Sequence, residues 1–121
     1  MAIKMTNREV DGVIVVTLEG RIVLGEESHS LREKLKSLLA EGKKKIVLNV
    51  ANIKYIDSSG LGTLVAAHYS AKTQSASMRL CNLGRKFYEV LQVTKLLTVF
   101  DVYDSEAAAV NSFQESLAAS N

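Results

Sequence analysis

Residues 45–62 read KIVLNVANIKYIDSSGLG and decide the fold of this 121-residue chain. The stretch opens with a nearly continuous apolar run, Ile46 to Val50, which is rich in β-branched residues. Such runs are typical of a strand that is buried on both faces of a sheet. A loop then leads to Asp57-Ser58-Ser59, three residue types that are favoured as helix N-caps. The stretch therefore predicts a parallel strand, a loop and a helix that begins around Ser58 to Gly60.

The residues before this stretch predict a hairpin and one amphipathic helix. Ile3 to Val10 and Val13 to Leu18 flank Asp11-Gly12, a pair that adopts the positive φ angles of a type I′ turn. Gly20 is expected to close the second strand, and Ile22-Val23-Leu24 to add a short extended piece. From Glu26 to Glu41, leucines recur at helical spacing, and a glycine follows as a stop signal.

The residues after the stretch continue the alternation of strand and helix. Met78 to Leu83 and Val99 to Tyr103 predict strands, with a short helix around Phe87 between them. Asp104 is expected to cap a final helix. Two helices are expected to turn apolar stripes inward, one made of Leu61, Leu64, Val65, His68 and Tyr69 and the other of Ala107, Val110, Phe113 and Leu117.

This order of elements predicts the fold class. Strands that are separated by helices need crossover connections, which give mostly parallel sheets. We therefore predict an α/β fold with a mixed, mostly parallel sheet, an antiparallel N-terminal hairpin at its edge and about four helices. A chain of 121 residues is long enough for one core and too short for two, so residues 1–121 are predicted to form a single domain.

Composition narrows the classes of function. The chain is 47% hydrophobic and 23% charged, which is typical of a soluble globular protein. No signal-peptide core is present and no apolar run approaches the ~18 residues of a membrane span, so we expect a cytoplasmic protein without membrane insertion. The net charge is only +2, and Lys43-Lys44-Lys45 is interpreted as a solvated turn, so direct DNA binding is not expected.

The sequence contains no convincing set of metal ligands or acid–base catalytic residues. His29 and His68 lie far from each other and from any cysteine or acidic cluster at ligand spacing, so neither a metal nor a cofactor is expected. Ser58 lacks the Gly-x-Ser-x-Gly elbow of a nucleophile, and no later histidine offers a base, so no enzyme is predicted. Cys81 is expected to be buried and inert, and His68 to be a satisfied core histidine.

Gly60 and Gly62 leave two interpretations open. Glycine early in a helix costs about 1 kcal/mol relative to alanine, so each needs a reason. The bare backbone could let a partner's surface approach, with the small hydroxyls of Ser58 and Ser59 beside it. Alternatively, the helix start needs small residues to pack on its own sheet.

The hexapeptide Asp57-Ser58-Ser59-Gly60-Leu61-Gly62, after the apolar strand, resembles the signature of STAS domains, in particular of bacterial anti-sigma factor antagonists (anti-anti-sigma factors). The similarity in length and element order covers essentially the whole chain. It implies that the anti-sigma factor, itself a serine kinase with a histidine-kinase-like ATPase fold, phosphorylates Ser58. It also implies that Asp57 orients or activates the Ser58 hydroxyl and that Ser59 is a neighbouring cap.

The resemblance further implies a switch. The unmodified protein would bind the anti-sigma factor through residues 57–62 and free the sigma factor, the phosphorylated form would let go, and a PP2C-like, metal-dependent phosphatase would reset it. A phosphate adds roughly −1.5 to −2 charges, which a helix N-terminus tolerates and a packed partner does not.

One position departs from the family pattern. STAS proteins of this type often have Gly-x-Leu-Asp after the second strand, whereas this chain has Gly20-Arg21-Ile22-Val23, so Val23 stands where the carboxylate would be. The alternative function is therefore a STAS subunit of a stress-sensing or lipid-transport complex.

Overall fold

The computed structural model describes residues 3–119, and the side chains of residues 3–114. Along the chain these residues form β1 (Lys4–Val10), β2 (Val13–Ile22), α1 (Glu26–Ala40), β3 (Lys45–Ile56), α2 (Ser58–Thr73), β4 (Ser77–Cys81), α3 (Arg85–Val93), β5 (Asp101–Tyr103) and α4 (Glu106–Ala119). The strands make one sheet in the order β1-β2-β3-β4-β5. β1 is antiparallel to β2, and the other neighbours are parallel. The predicted α/β fold is confirmed.

The hairpin between β1 and β2 forms as its turn residues predict. Asp11 and Gly12 have φ angles of 51° and 81°, as a type I′ turn requires. The prediction that Gly20 closes the second strand is wrong, because β2 runs on to Ile22. The pairing with β3 shifts register between Gly20 and Arg21, and Gly20 has a φ of 114°. A local irregularity therefore lets β2 continue where a strand end was expected.

Helices cover the two faces of the sheet unequally. One core cluster joins β2 and β3 to α1, α2 and α3, with Leu18, Leu31, Leu48 and Leu64 fully buried. A smaller cluster on the other face places Phe113 of α4 with core valines of β2 and β3. Ile22 at the end of β2 pairs with Ile56 at the end of β3, and α2 begins two residues later. These three ends therefore meet at one edge of the sheet.

β3 is longer than predicted and changes the interpretation of the loop. It extends to Ile56, so residues 51–56 are strand and not loop. Ile22 pairs with Ile56, and the polar side chains of this part of β3 are exposed. Of these six residues only Ile56 is buried, so no alternation of buried and exposed positions marks this part of the strand. Asp57 alone connects the end of β3 to the start of α2.

Several local predictions need correction. The last strand is only Asp101–Tyr103, because the Val99 N–H donates to the Leu96 carbonyl within a turn. β4 ends at Cys81, since the next residue has a φ of 59°. The first turn of α4 is capped by Ser105, whose Oγ accepts from the Ala108 N–H at 3.0 Å, and not by Asp104.

Some residues predicted to face inward do not. Tyr69 is 51% exposed, and Ala107 is exposed, whereas Val110 and Phe113 are buried as predicted. The side chain of Leu117 lies outside the described residues.

Candidate functional site

Asp57 joins the start of α2 to the end of β2. Its Oδ1 accepts from the Gly60 N–H at 2.8 Å, which caps the first turn of the helix. Its Oδ2 accepts from the Leu24 N–H at 2.9 Å, across 33 positions of sequence. The Asp57 N–H donates to the Ile22 carbonyl at 3.1 Å. One aspartate therefore fixes the loop after β2 against the helix start.

These bonds also settle the charge of Asp57. The Gly60 N–H, and then the Leu24 N–H, lower the pKa of the carboxyl below its usual value. The group is therefore ionised at neutral pH. Within the described part of the chain, the carboxylate makes no hydrogen bond to the Ser58 hydroxyl. Its observed partners are backbone amides, so the implied role of orienting Ser58 has no counterpart in these contacts.

Ser58 is the first residue of α2 and is exposed. Among residues 3–114, its hydroxyl has no hydrogen-bond partner. Ser59 is half-buried, and its carbonyl accepts from the Thr63 hydroxyl at 3.1 Å inside the helix. Of the two serines, Ser58 therefore has the more accessible hydroxyl, and it stands at the positive end of the helix dipole.

The two glycines have different reasons to be glycine. A Cβ on Gly60 would lie 2.2 Å from the Ile22 carbonyl oxygen, so α2 packs on its own sheet through bare backbone. A Cβ on Gly62 would have nothing within 4 Å, and Gly62 is exposed. Leu61, between them, is only 8% exposed and belongs to the core. The packing interpretation therefore holds for Gly60, and Gly62 is left as open backbone on the outer surface.

Large apolar side chains flank this helix start on the outside. Leu24 is 77% exposed, and its amide is the one held by Asp57. Tyr55 is 55% exposed, with the Arg21 guanidinium 5.9 Å from its ring centroid. Neither Leu24 nor Tyr55 was predicted from the sequence to be a functional residue. In the sequence, the available signal for Leu24 was its position between the end of a strand and Gly25. In the structure, Gly25 has a φ of 104°, and the chain turns there.

Val23 occupies the position where the family pattern often has aspartate. Its side chain is half-buried, and its carbonyl accepts from the Ser28 N–H at 3.1 Å and from the Ser28 hydroxyl at 2.7 Å. These bonds tie the first turn of α1 to the end of β2. The only carboxylate that contacts the loop after β2, within the described residues, is that of Asp57.

His68 and Cys81 lie away from this site, in the core. His68 is 3% exposed, and its ring packs edge-on against Tyr69 and Phe100. Cys81 is buried, and burial raises the pKa of its thiol to about 11. The core position of His68 and the buried thiol match the predictions, but neither ring nitrogen of His68 has a hydrogen-bond partner among the described residues, whereas a satisfied histidine was predicted. In the described portion of the chain, no cluster of three or more potential metal ligands occurs, and no helix is long and apolar enough to cross a membrane.

Comparison with known proteins agrees with the fold. The chain belongs to the STAS domain family, whose model matches residues 4–109. It is 28% identical over 102 residues to the anti-sigma-B factor antagonist of Bacillus subtilis, covering 84% of this chain and 92% of that one. It is 26% identical to BtrV of Bordetella bronchiseptica, assigned as an anti-sigma factor antagonist, with 94% and 97% covered.

A solved structure resembles the fold closely. The anti-sigma factor antagonist from Mycobacterium paratuberculosis superposes with a TM-score of 0.81 at 20% identity, covering 91% of this chain and 92% of that chain. These three relatives, each similar over most of the chain, are anti-sigma factor antagonists.

Proposed function

We propose that this chain is an anti-sigma factor antagonist that acts in the cytoplasm as a binding protein and not as an enzyme. Its unphosphorylated form binds an anti-sigma factor with serine kinase activity and thereby releases a sigma factor. Phosphorylation of Ser58 switches it off, and a PP2C-like phosphatase restores it. The observation that carries the proposal is the exposed hydroxyl of Ser58 at the first position of α2, which has no hydrogen-bond partner among residues 3–114, in a chain with anti-sigma factor antagonists among its relatives.

The geometry supports a modification that spares the fold. A phosphate on Ser58 would lie at a helix N-terminus, where the dipole and free N–H groups favour negative charge. Asp57 keeps its bonds to Gly60 and Leu24, because both are backbone amides inside the site. The modified chain should therefore stay folded with the same cap.

The same modification would act against a bound partner. The proposed contact surface is residues 57–62, in which Ser58 and Gly62 are exposed while Gly60 and Leu61 support them from below. Leu24 and Tyr55 add apolar area beside it. A dianion in the middle of such a surface must be desolvated when the partner packs on it, and the ionised Asp57 adds like charge. Binding is lost without any need for unfolding.

Paired baits test this proposal. Ser58→Ala and Ser58→Asp are used to capture proteins from a native lysate, with Ser70→Ala and Ser70→Asp, at an exposed position near the other end of α2, as the matched controls. We expect a histidine-kinase-like ATPase protein on the Ser58→Ala bait and on both Ser70 baits, and its loss from Ser58→Asp. Circular dichroism of all four variants checks that the fold is kept.

Two results would contradict the proposal. Equal recovery of that partner by Ser58→Ala and Ser58→Asp would remove Ser58 as the switch. Recovery of one transport or sensory assembly by both baits would instead make the chain a structural STAS subunit, the alternative that Val23 keeps open.

A further inference from the structure

One edge of β3 is free over half of the strand. β4 pairs with β3 only from Lys45 to Asn49, where Cys81 is the last partner. β2 continues along the opposite edge of β3 as far as Ile56. Within residues 3–119, no strand pairs with the β4-side edge of residues 51–56. A free edge presents backbone N–H and C=O groups that another extended chain can pair with.

A groove of about 780 Å³ runs beside this free edge. Its far wall is α3, which passes the sheet after β4 has ended. The lining is largely apolar and includes Val93, which is 81% exposed. The apolar residues that line it are Ile53, Ile56, Phe87, Val90 and Val93. The free edge of β3 and the apolar side of α3 therefore line the same groove.

The charges that line the groove are mostly positive. Lys54 stands on the strand side, and Arg85 and Lys86 stand at the start of α3. The one acidic residue in the lining, Glu89, is already bonded to Arg85 at 3.2 Å. The two lysines make no salt bridge within the described residues. The groove is thus complementary to acidic side chains.

We propose that this groove binds an extended, acidic segment of a partner protein, which adds as a strand to the free edge of β3. Residues 53–56 of the strand line the groove, which gives room for about four residues at ~3.3 Å per residue. The Ala51 N–H, further back along the edge, already donates to the Asn49 side chain at 3.1 Å. Alternate side chains of such a segment would enter the apolar groove, and acidic ones would meet Lys54 and Lys86. An apolar groove alone would accept many ligands; the open backbone edge selects an extended peptide.

The groove shares Tyr55 with the area beside the proposed phosphorylation switch, but the proposal does not depend on that switch. The groove ends at Ile56, next to Asp57, so a bound segment would lie beside the start of α2. A partner could use both surfaces together. The two can nevertheless be tested separately, because Ser58 does not line the groove.

Selection from a display library of random linear peptides tests the proposal. Peptides selected on the wild-type chain are measured against Lys54→Glu/Lys86→Glu and against the control Arg32→Glu/Lys36→Glu, which makes the same charge change on exposed positions of α1. We expect enriched peptides to be acidic with alternating apolar residues. They should bind the groove variant about tenfold more weakly or worse, because like charges then face each other, and the control variant equally well.

A second measurement tests the strand pairing. Hydrogen exchange of the complex should slow for amides within residues 51–56, and N-methylation of alternate amides in the peptide should abolish binding in one of the two registers. The peptides are selected and measured on the unmodified chain with no anti-sigma factor present, so failure here is separate from failure of the switch. No enrichment, enrichment of peptides insensitive to the charge reversal, or binding without protection of residues 51–56 would each overturn the proposal.

Discussion

Replacing Gly60 by alanine tests how tightly α2 is seated on the sheet. The added Cβ would lie 2.2 Å from the Ile22 carbonyl oxygen and 2.9 Å from the carbonyl carbon, both of them backbone atoms. A backbone cannot rotate away as a side chain can, so the start of α2 must move outward by roughly 1 Å in a densely packed region. That movement strains the bond from the Asp57 N–H to the Ile22 carbonyl, which is 3.1 Å long.

The net effect follows from three contributions. Overpacking costs typically 1–3 kcal/mol, and a weakened N-cap costs about 1 kcal/mol. Alanine returns up to about 1 kcal/mol through its helix propensity. We therefore expect Gly60→Ala to lower the free energy of unfolding by about 2 kcal/mol.

Gly62→Ala is the matched control, two positions along the same helix. Nothing lies within 4 Å of its Cβ, so only the propensity gain remains, and we expect stabilisation of about 0.5–1 kcal/mol. Urea unfolding followed by circular dichroism measures both variants, with an unchanged m value as the check on two-state behaviour. If both variants change stability in the same direction, the Gly60 contact is not rigid and the reasoning fails.

Three further predictions concern titrating groups. Asp57→Asn should lower the urea midpoint at neutral pH. Because the folded-state pKa of Asp57 lies below its unfolded value, the gap between the wild-type and variant midpoints should be complete above about pH 4 and should shrink as the pH falls through the folded pKa. Burial, and then Lys72, lower the pKa of His68, so as the pH falls the unfolded state takes up the proton first and stability should fall below about pH 6.5. His68→Leu should lack this fall in stability when the urea midpoint is measured against pH. The Cys81 thiol, with a pKa of about 11, should stay unreactive to a disulfide reagent until denaturant unfolds the chain, and early modification would show that the core opens locally.

The parts of the fold that the sequence predicts correctly rest on local signals. Asp11-Gly12 carries its turn geometry in two adjacent residues, and the leucines of α1 carry theirs in a repeat. The hexapeptide after the apolar strand located the helix start for the same reason, since Asp57 caps Gly60 only three residues away. Such features need no knowledge of what packs against them.

The parts that were missed depend on contacts between distant residues. Position 60 needs glycine because the carbonyl of Ile22 lies against it. The backbone of Leu24 is held by a bond to Asp57, 33 positions away in the sequence. β3 continues to Ile56 because β2 keeps pairing with it beyond Gly20. No pattern within residues 51–56 shows that pairing, which is why an extended strand with polar residues was taken for a loop.

The contacts of Asp57 bear on how the proposed switch would operate. Its carboxylate holds the amides of Gly60 and Leu24 at once, so the helix start and the backbone at Leu24 are held in place before any partner arrives. A preformed surface loses little conformational entropy on binding. It also means that a phosphate on Ser58 need not move the backbone to act. On the proposed function, charge and bulk added to a fixed surface are sufficient to release the partner, and an aspartate bonded to backbone amides, with no bond to the serine, is what keeps that surface fixed.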